Sequence, residues 1–176
     1  MGDPKRQRKK YRTPRHPWQK DRIHNELILV GKYGLRNKRE VWRANTMLSG
    51  FRNQATRFLA LPDEEQENAR SLLVGRLNRL GILPLDASLD DVLILSIEDV
   101  LNRRLQTLVH RQGWSKSIYH ARQLITHGHI AVDGRRATSP GYLVDGEDED
   151  LISLASSSPL IDQNHPERVK TTIEER

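Results

Sequence analysis

The sequence contains no cysteine, which excludes disulfides and thiolate metal ligands, and with them a secreted disulfide scaffold. Long hydrophobic runs are missing as well. Residues 92–95 are typical of the longest, far short of the ~20 apolar residues that a membrane-spanning helix needs. The first residues are charged and lack an apolar central stretch, so no secretory signal is expected there. P-loop, nucleophile-elbow and dinucleotide-fingerprint spacings are absent too. The expectation left standing is a soluble intracellular protein with no recognisable catalytic machinery.

Charge is present in abundance, and its placement is uneven. The chain of 176 residues carries 29 Lys/Arg against 23 Asp/Glu, a net charge of +6. Residues 1–43 hold 14 basic residues against 4 acidic ones, and residues 97–144 hold 7 against 3 with four histidines besides. Residues 44–96 are slightly acidic, and residues 145–176 hold 3 basic against 9 acidic side chains. Two separated basic blocks suit a polyanionic partner, because Lys/Arg that neutralise phosphates release condensed counterions. Nucleic acid is the partner this pattern favours.

Residues 1–17 have almost no apolar side chains, and Pro14 and Pro17 disfavour helix before them. They read as an extended basic arm, with Lys9, Lys10, Arg12 and Arg15 along it, that phosphates would order. Tyr11 and Trp18 can stack on bases; alternatively Trp18 packs on the helix that follows. Ile23, Leu27 and Val30 predict a helix over 18–30 that stops at Gly31. A loop, GKYGLRNKRE, comes next. Its Lys32, Arg36, Lys38 and Arg39 repel one another without an anion and are phosphate candidates. The clearest periodicity then follows: Val41, Ala44, Leu48, Phe51, Ala55 and Phe58 predict a helix over 37–60. Arg43 lies off its apolar stripe, Trp42 reads as core, and Gly50 hints at close packing or contact there. A third helix begins after Pro62, with Ala69, Leu72, Leu73, Arg76, Leu77 and Leu80 on its inner face, and ends at Gly81. Its acidic first turn and late arginines suit the helix dipole. Residues 85–95 read as a connector. Ser96 and Asp99 then cap a helix that buries Ile97, Val100, Leu101, Leu105, Leu108 and Val109 and points Arg103, Arg104 and Arg111 elsewhere.

The most informative stretch is residues 101–144. Ser117 is a natural N-cap for a helix over 118–127, which places Ile118, Ala121, Leu124 and Ile125 on one side and Tyr119, Gln123 and His127 on the other. Arg122 sits at the edge between the faces. Lys116, Ser117 and the first amides of this helix make an anion site. Gly128 stops the helix, residues 129–132 form a strand, Asp133-Gly134 signals a type I′ turn, and residues 135–137 return. Residues 142–144 are extended, and residues 151–154 can close a small sheet. The acidic GEDED run reads as a solvated loop. His110, His120, His127 and His129 invite a metal or acid–base reading, but no third ligand joins the 127/129 pair, so no metal and no cofactor are expected.

The pattern S…ARQLI…G.I.V.G…P.Y.V, spread over about 45 residues here, resembles the RNA-binding domain named after ribosomal protein S-four. PKRQRKKYRTPRHPWQKDRI, VGKYGLRNKREVWR and IEDVLNRRLQTLV further resemble the archaeal and eukaryotic branch of the small-subunit ribosomal protein family of that name. Asp133 and Gly141 depart from the Asn and Ser common there. The resemblance implies an α+β fold: a basic arm (1–17), a mainly helical domain (18–95) and a compact helix–helix–β-hairpin RNA-binding domain (96–155); residues 156–176, which it does not cover, read as an acidic, flexible tail. It implies a non-enzymatic structural role in the small ribosomal subunit in the cytoplasm, with direct rRNA binding, nucleation of subunit assembly and an influence on translational accuracy. The implied rRNA contacts are the arm residues above, Lys32, Arg36, Lys38, Arg39, Arg43, Lys116, Ser117, Arg122, Gln123 and His127, with Arg135 and Arg136 from the hairpin. Implied partners are small-subunit rRNA, other small-subunit ribosomal proteins and mRNA where it enters the subunit, with no membrane and no small-molecule substrate. The zinc site of some bacterial relatives needs cysteines that this chain lacks. A pre-rRNA processing factor of small nucleolar ribonucleoproteins is the alternative; the pairing of TPRHPWQKDRI with YGLRNKRE favours the ribosomal protein.

Overall fold

A computed structural model describes residues 9–162 and 165. Within them, seven α-helices precede and flank a small antiparallel sheet. The order is α1 (Lys20–Lys32), α2 (Lys38–Phe58), α3 (Asp63–Arg79), α4 (Leu89–Ile94), α5 (Ile97–Asn102), α6 (Leu105–Arg111), α7 (Ile118–His127), β1 (Ile130–Val132), β2 (Arg135–Arg136) and β3 (Ile152–Leu154), with a 3₁₀ turn at Pro159–Ile161. The fold is α+β and mostly helical. No helix among the described residues is long and apolar enough to cross a membrane.

Two hydrophobic cores divide the chain. The first gathers Val41, Leu48, Phe51 and Ala55 of α2 with Leu73 and Leu77 of α3, Leu89 and Val92 of α4, and Val100 and Leu101 of α5. The second gathers Leu105, Leu108 and Val109 of α6, Ala121, Leu124 and Ile125 of α7, and Ile130, Val132, Val144, Ile152 and Leu160. The stripe expected on α2 is therefore the spine of the first core. α2 and α7 bury one face each, whereas all three residues of β1, the central strand, are buried.

Several expectations change. α1 starts and ends two residues later than predicted, so Gly31 lies inside it; the chain turns at Gly34, which has φ +56°. The cationic loop is correspondingly shorter, because Asn37 caps α2 by accepting from the Glu40 amide at 3.3 Å, and Lys38 and Arg39 are already helical. Leu72 is 77% exposed rather than on the inner face of α3. The connector contains α4, closed by a capping box between Ser88 and Asp91 that has the same Ser-x-x-Asp spacing as the one recognised at Ser96. The helix predicted from Ser96 to Gly113 is two helices. Between them the Leu105 amide donates to Tyr142 O at 2.8 Å and the Val144 amide to Arg103 O at 3.0 Å, so the extended piece at 142–144 splits the helix by pairing with its backbone.

The hairpin forms as predicted. Asp133 and Gly134 have φ of +50° and +68°, and β1 pairs β2 with Val132 opposite Arg135. β3 closes the other edge of β1, with Val132 opposite Ile152. The acidic segment is not a free loop: Arg79 Nε donates to Asp145 at 2.8 Å and Arg103 to Glu149 at 2.5 Å. Residues 156–162, expected in a flexible tail, fold back. Ser158 hydrogen-bonds His129 Nδ1 at 3.0 Å, and Leu160 is buried in the second core. The rest of the expected tail, apart from His165, and residues 1–8 of the arm lie outside the described residues.

Candidate nucleic-acid interface

The interface is organised by the seam between the two cores. α7 docks on the turn between α1 and α2. Gln106, fully buried, donates from Nε2 to Gly34 O at 3.0 Å and to Ile118 O at 2.9 Å. Arg122 donates from NH2 to Glu40 Oε1 at 2.6 Å and from NH1 to Gly34 O and Gln106 Oε1, both at 3.3 Å. Arg104 reaches the other Glu40 oxygen at 2.6 Å. Glu40 occupies the third position of α2, where a capping-box carboxylate would turn back to the N-cap amide. Here it points across the seam and binds two arginines instead.

Burial disfavours the charge on Glu40, but the hydrogen bond from Arg122 and the charge of Arg104 outweigh it and hold the carboxyl below its ordinary value. Burial in turn weakens the proton affinity of Arg104, with Glu40 opposing that shift. Arg103 and Arg104, expected to project away, are thus nearly buried structural cations. Arg122, expected to reach RNA, is half-buried and committed to the seam.

A second buried acid holds the arm side. Glu26 accepts from Arg22 and from Trp42 Nε1 at 3.0 Å, and Lys38 lies 3.4 Å from its other oxygen. The arm runs along α2. The Arg12 amide donates to Thr46 Oγ1 at 3.0 Å, and the Tyr11 ring lies against Trp42 with centroids 6.0 Å apart. Tyr11 is therefore held by protein, with the Lys9 ammonium 4.7 Å from its ring centre. Trp18 is 89% exposed and does not pack on α1. Lys32 is paired with Glu98. Burial and a hydrogen bond to the same Glu98 push the Tyr33 hydroxyl up to about 12.

The remaining cations sort clearly. Lys10, Arg15, Arg36, Arg39 and Arg43 are exposed and carry no side-chain partner among the described residues. Arg39 and Arg43 are one turn apart on the same face of α2. Arg43 lies close enough to Arg104 to depress its proton affinity, which places it beside the seam. Across the seam, Lys116 just before α7 and Gln123 and His127 on it are exposed to solvent. Ser117 accepts from the His120 amide at 3.2 Å, and His120 Nδ1 receives the Lys116 amide at 3.3 Å, leaving the amides of Ile118 and Tyr119 open at the helix start. At the far end of α7, Arg135 is exposed with no side-chain partner among the described residues, and Arg136 donates to His127 O at 3.0 Å. His129 is held below its usual proton affinity by burial and by the neighbouring His127, Arg136 and His165. Among the described residues no group of His, Asp or Glu is arranged to hold a metal ion.

The arrangement offers a row of unpaired guanidinium groups on α2 and a row of polar and basic groups on α7, held side by side by Glu40. The sequence signal for the clamp is a single acid at the end of the cationic run GLRNKRE. Gly34 is the other element the clamp requires. A Cβ there would lie 2.8 Å from Ile118 Cγ2 and 2.9 Å from Gln106 Nε2, in a left-handed conformation. Gly34→Ala is expected to cost about 2 kcal/mol, combining the strain of that conformation with displacement of the seam. Denaturant melts with a shift below about 0.5 kcal/mol would refute this.

Comparison with known proteins places the chain among relatives of one family. Residues 5–102 match the family model described as the ribosomal protein S4/S9 N-terminal domain, and residues 103–150 match the S4 domain model. The chain is 53% identical over 170 residues to the small ribosomal subunit protein uS4 of Hyperthermus butylicus, covering 97% of each chain. It is 55% identical over 159 residues to that of Ignicoccus hospitalis, covering 90% of this chain and 96% of the relative. The Sulfolobus acidocaldarius protein of the same name is 51% identical over 176 residues, 99% of each chain.

Proposed function

Because the chain belongs to the small ribosomal subunit protein uS4 family, we propose that it is a structural constituent of the small ribosomal subunit that binds small-subunit rRNA directly. The observation that carries this is the row of unpaired Arg36, Arg39 and Arg43, set beside the exposed face of α7 by the Glu40 clamp. Two cores joined by the Glu40 ion pairs hold these cations side by side, an arrangement suited to RNA segments that converge. Lys10, Arg15, Lys116, Ser117, Gln123, His127 and Arg135 extend that surface. Lys9, Lys32, Lys38, Arg122 and Arg136 contribute charge while being tied to protein partners, and Arg12, held through its backbone amide, keeps an exposed guanidinium. Binding of this kind requires no cofactor and no catalysis. It is consistent with an early role in organising rRNA during subunit assembly, with contacts to other small-subunit proteins, and with an influence on decoding accuracy near the incoming mRNA in the cytoplasm. The near full-length likeness to proteins named for the ribosomal subunit favours this role over a pre-rRNA processing factor.

The test is a salt titration of the full chain on small-subunit rRNA. With at least five phosphates neutralised, log K is expected to fall against log salt with a slope of about −4 or steeper. A slope near zero, or absence of the protein from mature small subunits after a moderate salt wash, would sink the proposal.

A further inference from the structure

Three helical glycines, Gly31, Gly50 and Gly75, have open space where a Cβ would be. None has a positive φ, so backbone conformation does not demand glycine at these positions. Gly50 stands apart from the other two because it lies in a groove. It sits in the middle of α2, where glycine weakens a helix relative to alanine, and among the described residues nothing lies within 4 Å of where its Cβ would be.

The groove runs between α2, the last turns of α3 and the segment at 143–145, with a volume of about 470 Å³. Thr46, Gly50 and Gln54 form its α2 wall, and Arg76 and Arg79 its α3 wall. Its floor is apolar, with Met47, Phe51, Leu80 and Leu143. The Arg76 guanidinium lies 5.7 Å from the centre of the Phe51 ring, and Arg79 is held by Asp145 with 77% of its side chain still exposed. The helix dipole accounts for arginines near the end of α3. It does not account for a bare backbone on α2 facing them across an apolar floor.

We propose that this groove is a second rRNA site, in which the sugar–phosphate backbone of one RNA strand lies against Gly50, with its phosphates on Arg76 and Arg79. The proposal rests on the rRNA-binding reading above and adds a site on the side of α2 that faces α3. Riboses are amphipathic and suit the Met47 and Leu80 floor, while phosphates suit the two guanidinium groups. The Thr46 hydroxyl, which also anchors the arm through the Arg12 amide, borders the groove, so one strand leaving it would pass directly to the arm. Any side chain at position 50 would stand where the backbone must approach.

The experiment compares wild-type chain, Gly50→Glu, Gly50→Ala and Arg79→Gln on small-subunit rRNA from the organism of a relative. Both Gly50 variants are expected to raise Tm by about 2–4 °C, because a glycine in a helix interior is replaced where there is room. Gly50→Glu is nevertheless expected to lower rRNA affinity at least about tenfold at 0.1 M salt, and Arg79→Gln to reduce the salt slope by about one. Gly50→Glu bound as tightly as wild type overturns the site while leaving the general reading intact. Unchanged rRNA affinity with poorer incorporation into subunits also overturns it, and assigns the groove to a protein neighbour. A wild-type chain that fails to bind rRNA overturns the general reading and this site together.

Discussion

Glu40→Ala is expected to lower folding stability by about 3 kcal/mol, within the range for removing one partner of a buried ion pair. For a chain of this size that is a fall in Tm of about 6–12 °C. Among the described residues the carboxylate is the only acid that Arg104 and Arg122 share, and the Arg104 side chain is 8% exposed. Its removal leaves two guanidinium groups facing each other, with Arg43 nearby adding to the repulsion. Glu40→Gln keeps the shape and removes the charge, so its cost should be smaller but in the same direction. The clamp also predicts an acid dependence. The carboxyl titrates lower in the folded chain than its ordinary value of 4.5. Its stabilisation is therefore fully present above the unfolded value and lost as pH falls through the folded one. Wild-type stability should decline across that window, and Glu40→Gln should lack this part of the decline. Chemical denaturation between pH 3 and 7 on both proteins decides the matter; parallel curves would remove Glu40 from the seam's energetics.

The joint replacement of Arg36, Arg39 and Arg43 by glutamine is expected to weaken rRNA binding by about 10²-fold at 0.1 M salt and to make the salt slope shallower by two to three, roughly 0.9 per phosphate contact. These side chains are exposed and unpaired, so the fold should tolerate the change within about 0.5 kcal/mol. Stability and affinity are thus separable here, unlike at Arg122, where alteration also breaks the clamp. Equal losses of affinity at low and high salt would show that these residues do not contact phosphates. An affinity unchanged throughout would move the rRNA surface away from the start of α2.

The contrast between Arg36 and Arg122 shows how far residue type carries. Both are arginines in basic stretches, and both suggested phosphate contact. One is free and the other is bound by an acid 82 positions away in the chain. Periodicity located the α2 stripe, the α7 faces and the Asp133-Gly134 turn because these follow from local geometry: one apolar face per helix, and two positive φ values in a two-residue hairpin. Capping located α5 and would equally have located α4, since Ser88 and Asp91 repeat the Ser96 and Asp99 spacing. The break between α5 and α6 was illegible. Residues 97–109 contain no glycine or proline, and their apolar stripe continues unbroken.

The sequence by itself determined the family, the α+β class, the two basic blocks, the absence of thiol chemistry and the main amphipathic elements. Each of these depends on composition or on neighbours within a turn or a strand. Only the tertiary structure decided which cations remain available. Glu26, Glu40, Glu98 and Glu149 draw Arg22, Arg104, Arg122, Lys32 and Arg103 into protein contacts, and leave Arg36, Arg39 and Arg43 open. It also decided where the helix after Ser96 breaks, because Val100 and Leu101 bury in one core and Leu105 and Leu108 in the other. Both outcomes come from pairing between residues far apart in the chain: a charge finds its partner, and a helix its core, only once the chain has folded.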